Sequence, residues 1–203
     1  PSICTESSAG SNILVSSREG EIYRITPRRN DSVNDSWMTD SGRELYKQVK
    51  SDDRIITPSI DGESSTLADA ISSASELLKD KKLAIVGSCR STVEEQYLLT
   101  KLARNFKGKK FLRGHFGDDD GILLASDRTP NLRGALATGF SAKYPSDQLS
   151  DLSRALSKGQ FDTLLVMGED ILDSGVTRDD LKGIKVVYLG THRNETSALA
   201  NVL

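Results

Sequence analysis

The chain has 203 residues, 36% of them apolar and only 5% aromatic, with 27 Lys and Arg against 29 Asp and Glu for a formal net charge of −2. This length suits one or two domains with an aliphatic core, and the near-neutral charge excludes the global basic field that drives nucleic-acid binding. No apolar run approaches the ~18 residues that span a bilayer, and two cysteines, Cys4 and Cys89, make no disulfide framework and favour a reducing compartment.

In chain order, 12–26 reads as a β-hairpin. "NILVSS" is apolar and β-branched, "REG" turns, "EIYRIT" alternates, and Pro27 ends the run. A polar loop rich in turn residues follows. In "SWMTDSGRELYKQV", Asp40 or Ser41 is placed to cap a short helix reaching Val49. "SDDRIITPSIDGESS" has no periodicity and reads as a linker. The texture then changes. "TLADAISSASELLKDKK" puts Leu67, Ala70, Ile71, Ala74, Leu77 and Leu78 on one helical face. "LAIVG" (83–87) is a short buried-type strand. A second amphipathic helix is capped by Ser91 or Thr92, with a Glu at 94 or 95 and capping-box spacing from Ser91 to Glu94. "KKFLRGHF" is a candidate strand, and "SDQLSDLSRALSKG" a helix closed by Gly159. "DTLLVMG" and "IKVVYLG" are two further buried-type strands, each ending in Gly. The alternation predicts an α/β fold: a small β-rich module over 1–56, then a mainly parallel, doubly wound sheet over 57–203 with helices on both faces.

The opening stretch carries the most specific pattern. With Cys at 7, 11 and 39 as well as at 4, it would read C-x2-C-x3-C-x27-C, the layout of a cubane iron–sulfur site. Such a cluster takes four thiolates. Here Ser7, Ser11 and Thr39 stand instead, and a hydroxyl is far too basic to replace a thiolate at neutral pH. Two readings stand side by side: ordinary turn and cap residues, or a ligand frame whose ligands are gone.

The order of residues around that pattern resembles the iron–sulfur domain that opens molybdopterin-type oxidoreductases. It is most similar to the large peripheral-arm subunit (the G subunit) of respiratory NADH–quinone oxidoreductase, complex I. The family pattern is a Cys triplet, then G-x-I-x-R-x-x-P-R, then V-N-x-x-W-x-C-D-x-G-R. This chain supplies Gly20, Ile22, Arg24, Pro27 and Arg28, then Val33, Asn34, Trp37, Asp40, Gly42 and Arg43. Cys4 falls at the first ligand position, and Ser7, Ser11 and Thr39 at the other three. Trp37, the only Trp, is expected to pack into the core of this module. The resemblance continues more weakly. "TLADAISSASELL" matches the family's amphipathic helix, with Thr66 in place of the usual Trp. "DGILLASDRTPNLRGALATG" resembles the D-x-x-P-N-x-x-G stretch, keeping Asn131 and Gly134. "TLLVMGEDI" stands where molybdopterin enzymes carry a strand ending in G-x-N-P, and "ETSALANVL" resembles E-T-A-x-x-A-D-V-V-L-P.

The resemblance implies a fragment of such a large peripheral-arm chain, truncated at its C-terminus. It would be a structural part of the electron-transfer arm, not itself catalytic, with the 4Fe-4S and molybdopterin sites lost from this segment. Its partners would be the rest of its own chain and other peripheral-arm subunits, with no nucleic acid and no direct membrane insertion. Its place would be cytoplasmic, peripheral to the inner membrane. The alternative is a fragment of a catalytic molybdopterin-dependent oxidoreductase.

Nothing else in the sequence forms a site, and no catalytic, cofactor-binding or metal-ligating residue is assigned. A nucleotide at the strand ends near Gly87, Gly168 and Gly190 ranks last. A pyrophosphate needs backbone N–H groups and no nearby negative charge, whereas Glu169 and Asp170 follow Gly168, and Asp118, Asp119 and Asp120 form an acidic run. Cys89 lies before a helix, a place that lowers thiol pKa, but reads as a small turn residue. His115 and His192 have no ligand at metal spacing and are expected to face solvent or cap. "GEDILDSG" lacks the oxygen pattern of a calcium loop. "PRRN" and "KGKK" read as a solvated face or a contact with another chain. Leu199, Val202 and Leu203 are expected to leave an apolar patch that favours weak self-association.

Overall fold

One tight turn organises the first module. β1 (Ser2–Ile3), β2 (Asn12–Arg18) and β3 (Glu21–Pro27) form an antiparallel sheet in that order in the computed structural model, which describes residues 1–203. Glu19 and Gly20, at φ 54° and 81°, supply the left-handed two-residue turn whose twist matches the flanking strands. Ile13 and Ile25 turn inward to meet Cys4 and Met38 in a four-residue core.

Two short helices follow, α1 (Asp40–Glu44) and α2 (Tyr46–Val49). Neither Asp40 nor Ser41 caps the first. The cap is Thr39, whose hydroxyl accepts the Gly42 N–H at 3.1 Å. Trp37 is also not in the core: it is 63% exposed, and Met38 fills that place at 3%. The loop is held by the Asn34 side chain rather than by the indole. Asn34 is buried, its Oδ1 accepts the Asn12 N–H at 3.0 Å, and its Nδ2 donates to the Trp37 carbonyl at 2.8 Å.

The segment expected to be a linker is bound along its length. Ile55 N–H donates to Thr191 O at 2.9 Å and Arg193 N–H to Asp53 O at 2.7 Å. A hairpin of β4 (Ser59–Ile60) and β5 (Glu63–Ser64) then turns at Asp61 and Gly62. Beyond it come α3 (Leu67–Leu78), β6 (Leu83–Ser88), α4 (Val93–Asn105), β7 (Lys109–Arg113), α5 (Leu132–Ala137), α6 (Ser150–Ser157), β8 (Thr163–Met167) and β9 (Lys185–Leu189). Thr92, not Ser91, caps α4: the Glu95 N–H donates to its hydroxyl and its own N–H donates to the Glu95 carboxylate.

β6, β7, β8 and β9 are parallel, in the order β7-β6-β8-β9. Their alternation feeds two cores. Leu83, Ile85, Leu165 and Val187 meet α3, α4 and α5 on one face, while Ala84, Val86, Leu164, Val166 and Val186 meet α6 on the other. Burial on both faces is why these strands are continuous apolar runs.

The last residues complete the sheet. Val202 bridges Val187 in parallel and Ile60 in antiparallel, so 201–203 lies between β9 and β4. Tyr188 N–H donates to Val202 O at 2.8 Å and Ser59 N–H to Leu203 O at 3.0 Å. Val202 is buried, and Leu199 and Leu203 pack partly buried against the core; Val202 and Leu203 also line an apolar groove of about 280 Å³ whose rim exposes Ile56, Leu67 and Ile71. No helix is long and apolar enough to cross a membrane.

Candidate functional site

Two places gather polar side chains that a soluble fold normally leaves in water. The first is the frame of residues 4, 7, 11 and 39. All four are buried, between 4% and 7% exposed, although Thr5, Ser8 and Ala9 between them are exposed. β1 sets Cys4, whose N–H donates to Ser11 O at 2.8 Å. Thr39 comes from the turn into α1. Gly42, one turn into that helix, brings the two together: a Cβ there would lie 2.6 Å from Cys4 Sγ and 3.0 Å from Thr39 Oγ1. A glycine is required because thiol and hydroxyl already fill the space a side chain would take.

The donors in this frame are one thiol and three hydroxyls, and no group of three or more His, Cys, Asp or Glu side chains stands at metal-binding distance in the chain. Thr39 Oγ1 accepts from Gly42 N–H and from the Ser41 hydroxyl, and Ser7 Oγ accepts the Ala9 N–H at 3.3 Å. Burial pushes the Cys4 thiol above its ordinary pKa, outweighing the hydrogen bonds from its surroundings, Thr39 included. These residues do not fit a cubane cluster; they act as backbone acceptors and packing groups.

The second place is the carboxyl edge of the parallel sheet, where open α/β folds bind ligands at the point where strand order reverses. That point lies between β6 and β8. β6 ends in Ser88 and β8 runs on through Gly168 to Glu169. The Ser88 hydroxyl donates to the Glu169 carboxylate across the gap, and both residues are almost wholly buried. Arg113, at the end of β7, brings Nη1 to 3.4 Å from the same carboxylate and donates to Asp170 O at 2.6 Å. His115 Nε2 lies 2.9 Å from Glu169 Oε2, so it donates.

This arrangement revises two expectations. Glu169 and Asp170 do not face an empty crevice as repelling charges. Glu169 is hydrogen-bonded inside it, and Asp170 accepts from the Thr196 hydroxyl at 2.7 Å and the Glu195 N–H at 3.1 Å. His115 is a partner of a buried carboxylate rather than a solvent-facing residue. His192 takes the expected capping role, its Nε2 donating to Gln48 O in the last turn of α2 at 2.7 Å. Arg113 is not singled out by its sequence. Its one signal is a cation directly after the apolar pair Phe111–Leu112, at a strand end.

The turn after β6, where a phosphate would seat, is occupied from within. Gln96 reaches back from α4, its Nε2 lying 3.2 Å from the carbonyls of Ser88, Ser91 and Asn131. Asn131 Nδ2 donates to Ser91 O at 2.9 Å. Cys89 in this turn is fully buried, and burial, reinforced by Asp127 and Glu169, pushes its thiol up to about 12 against the opposing hydrogen bond of Thr129. It is a packed turn residue, not a nucleophile. The loop above this edge meets the first module, where Ser8 N–H donates to Asp127 O at 3.0 Å.

Residues 2–47 match the family model described as the NADH-ubiquinone oxidoreductase NDSU1/NuoG-like 4Fe-4S domain. Three relatives carry one name, that of the G subunit of NADH-quinone oxidoreductase. The one from Pseudomonas putida is 32% identical over 172 residues, 84% of this chain and 17% of its own length. The one from Pseudomonas fluorescens is 39% identical over 103 residues, 50% of this chain and 11% of its own. The one from Escherichia coli K12 is 29% identical over 180 residues, 86% of this chain and 18% of its own. This chain therefore spans less than a fifth of these relatives' length.

Proposed function

We propose that this chain, which is NuoG-like, serves as a structural part of the electron-transfer arm of a respiratory NADH–quinone oxidoreductase and carries no iron–sulfur cluster or pterin cofactor within residues 1–203. The observation that carries the reading is the frame at 4, 7, 11 and 39. Its backbone course is closed and buried, yet three of its four positions hold hydroxyls already committed to local packing or capping. The filled crevice at the carboxyl edge supports it from the other side, because Ser88, Arg113, His115 and Glu169 satisfy one another where a dinucleotide would lie.

In this reading 1–56 is a degenerate 4Fe-4S module and 57–203 a Rossmann-like, doubly wound domain of molybdopterin oxidoreductase type. The two are held by the contacts of 51–58 with 191–193 and of Ser8 with Asp127. Its neighbours are other peripheral-arm subunits, and its place is cytoplasmic, at the inner membrane's surface. Anaerobic reconstitution with iron and sulfide tests the proposal. The native chain should retain far less than one iron per chain and stay colourless. Retention of about four iron per chain with thiolate-to-iron absorption would overturn it. Ser7→Cys/Ser11→Cys/Thr39→Cys, treated in parallel, asks whether the backbone frame still accepts a cluster once its thiolates return.

A further inference from the structure

We infer that the free edge of β7 is a docking strand for an extended, acidic segment of a partner protein. The proposal stands on this chain's own edge and charge and does not depend on the assignment above.

β7 lies at the end of the parallel sheet and pairs only with β6. At its carboxyl end the chain begins to pair with itself: Arg113 bridges Ser146 in parallel and Gly114 N–H donates to Ser146 O at 3.1 Å. The companion segment then leaves. Over 109–112 no backbone N–H or C=O bonds to any loop or turn, so the groups turned away from β6 have no protein partner. A strand whose backbone groups are unpaired along one side is a template for another strand.

Charge says which segment. A groove of about 580 Å³ runs along this edge, between β7, α6 and the 141–146 loop. Lys109, Lys110, Lys143, Lys158 and Arg154 line it. Its single carboxylate, Asp151, is taken by Arg154 at 3.1 Å. None of the four lysines has a carboxylate partner, in a chain whose net charge is −2. Lys109 lies over the Phe111 ring at 5.4 Å, on the face toward α6. Lys110 turns to the opposite face, where its Nζ donates to Gly139 O. An added strand with carboxylates would therefore meet ammonium groups on both faces of the edge. Lysines on an edge also discourage pairing between like copies, which is the behaviour expected of a surface that refuses itself and accepts an acidic partner.

The test uses the native chain and a fluorescein-labelled ten-residue peptide of alternating Glu and Val, read by anisotropy at low salt and by amide hydrogen exchange. We expect saturable binding that weakens as salt rises, with slowed exchange of the outward-turned amides among 109–112. Lys143→Glu/Lys158→Glu, both exposed and off the strand, should weaken binding at least about tenfold, while Lys143→Arg/Lys158→Arg keeps it. No binding up to millimolar peptide overturns the proposal. So does binding without protection of 109–112, or equal binding of an alternating Lys and Val peptide. If inorganic pyrophosphate binds the groove while the peptide does not, the site is an anion pocket and strand docking is refuted.

Discussion

Replacing Arg113 with Met keeps most of the aliphatic stem and removes the one full positive charge inside the carboxyl edge. The Arg113 side chain is 6% exposed and Glu169 only 2%. Without the guanidinium, Glu169 keeps Ser88 and His115, and the carbonyls of Asp147 and Asp170 lose the donors now at 3.2 and 2.6 Å. The contact with Asp173 matters little, since that carboxylate is 62% exposed. Stranding one partner of a buried ion pair costs about 3–5 kcal/mol. For a chain of this length that lowers the melting temperature by roughly 10 °C. Urea unfolding followed by circular dichroism should show the loss as a lower midpoint at unchanged slope. Arg113→Met/Glu169→Gln should recover more than about 1 kcal/mol of it, because the amide removes the charge left unpaired. A single-mutant loss below about 1 kcal/mol would refute the reasoning, since Glu169 would then be held without Arg113.

Three further outcomes follow from the same geometry. Folded, the Cys89 thiol titrates at about 12 and, unfolded, at its ordinary 9.0, so its contribution is full below pH 9 and lost as pH rises toward 12. Native protein should lose about 1.4 kcal/mol more stability per pH unit in that window than Cys89→Ala, and identical slopes would sink the assignment. Gly42→Ala should cost about 1–3 kcal/mol through the contact with Cys4 Sγ. Adding Cys4→Ala should return part of that cost, and strict additivity of the two in urea unfolding would show that the contact is not the cause. Thr39→Ala should cost about 1 kcal/mol as a lost helix cap, and an unchanged midpoint would mean that the hydroxyl has no capping role.

The elements that can be read from sequence are those whose signal is local. "LAIVG" is apolar throughout because both faces are buried, and the strand is Leu83–Ser88, every residue buried. The Leu67–Leu78 helix shows in its 3.6-residue period. The misses have physical causes as well. Thr39 caps α1 one position before Asp40, and Thr92 is one of the two caps expected for α4, because Ser, Thr and Asp are nearly equivalent as caps and only the backbone angle decides among them. α5 is six residues long with a central glycine, and Gly134 is needed there because a Cβ would lie 2.3 Å from Asn131 Oδ1. A run that short shows no periodicity. "SDDRIITPSIDGESS" reads as a linker because its partners, 191–193 and 201–203, are far away in sequence, and no local pattern carries long-range pairing.

The two polar places share a logic that links sequence to assembly. In each, buried polar side chains find partners within the fold. At the first module one thiol is kept buried and protonated among hydroxyls. At the sheet edge Glu169 is held by Ser88, Arg113 and His115. Buried donors and acceptors without partners cost about 1–3 kcal/mol each. Here only Gln96 Oε1 and Asp147 Oδ1 remain buried without a partner. Both polar clusters lie inside the fold, whereas the lysines along β7 lie at its surface. That is why the unpaired edge of β7, where lysines meet an open backbone, is the place to look for what it holds.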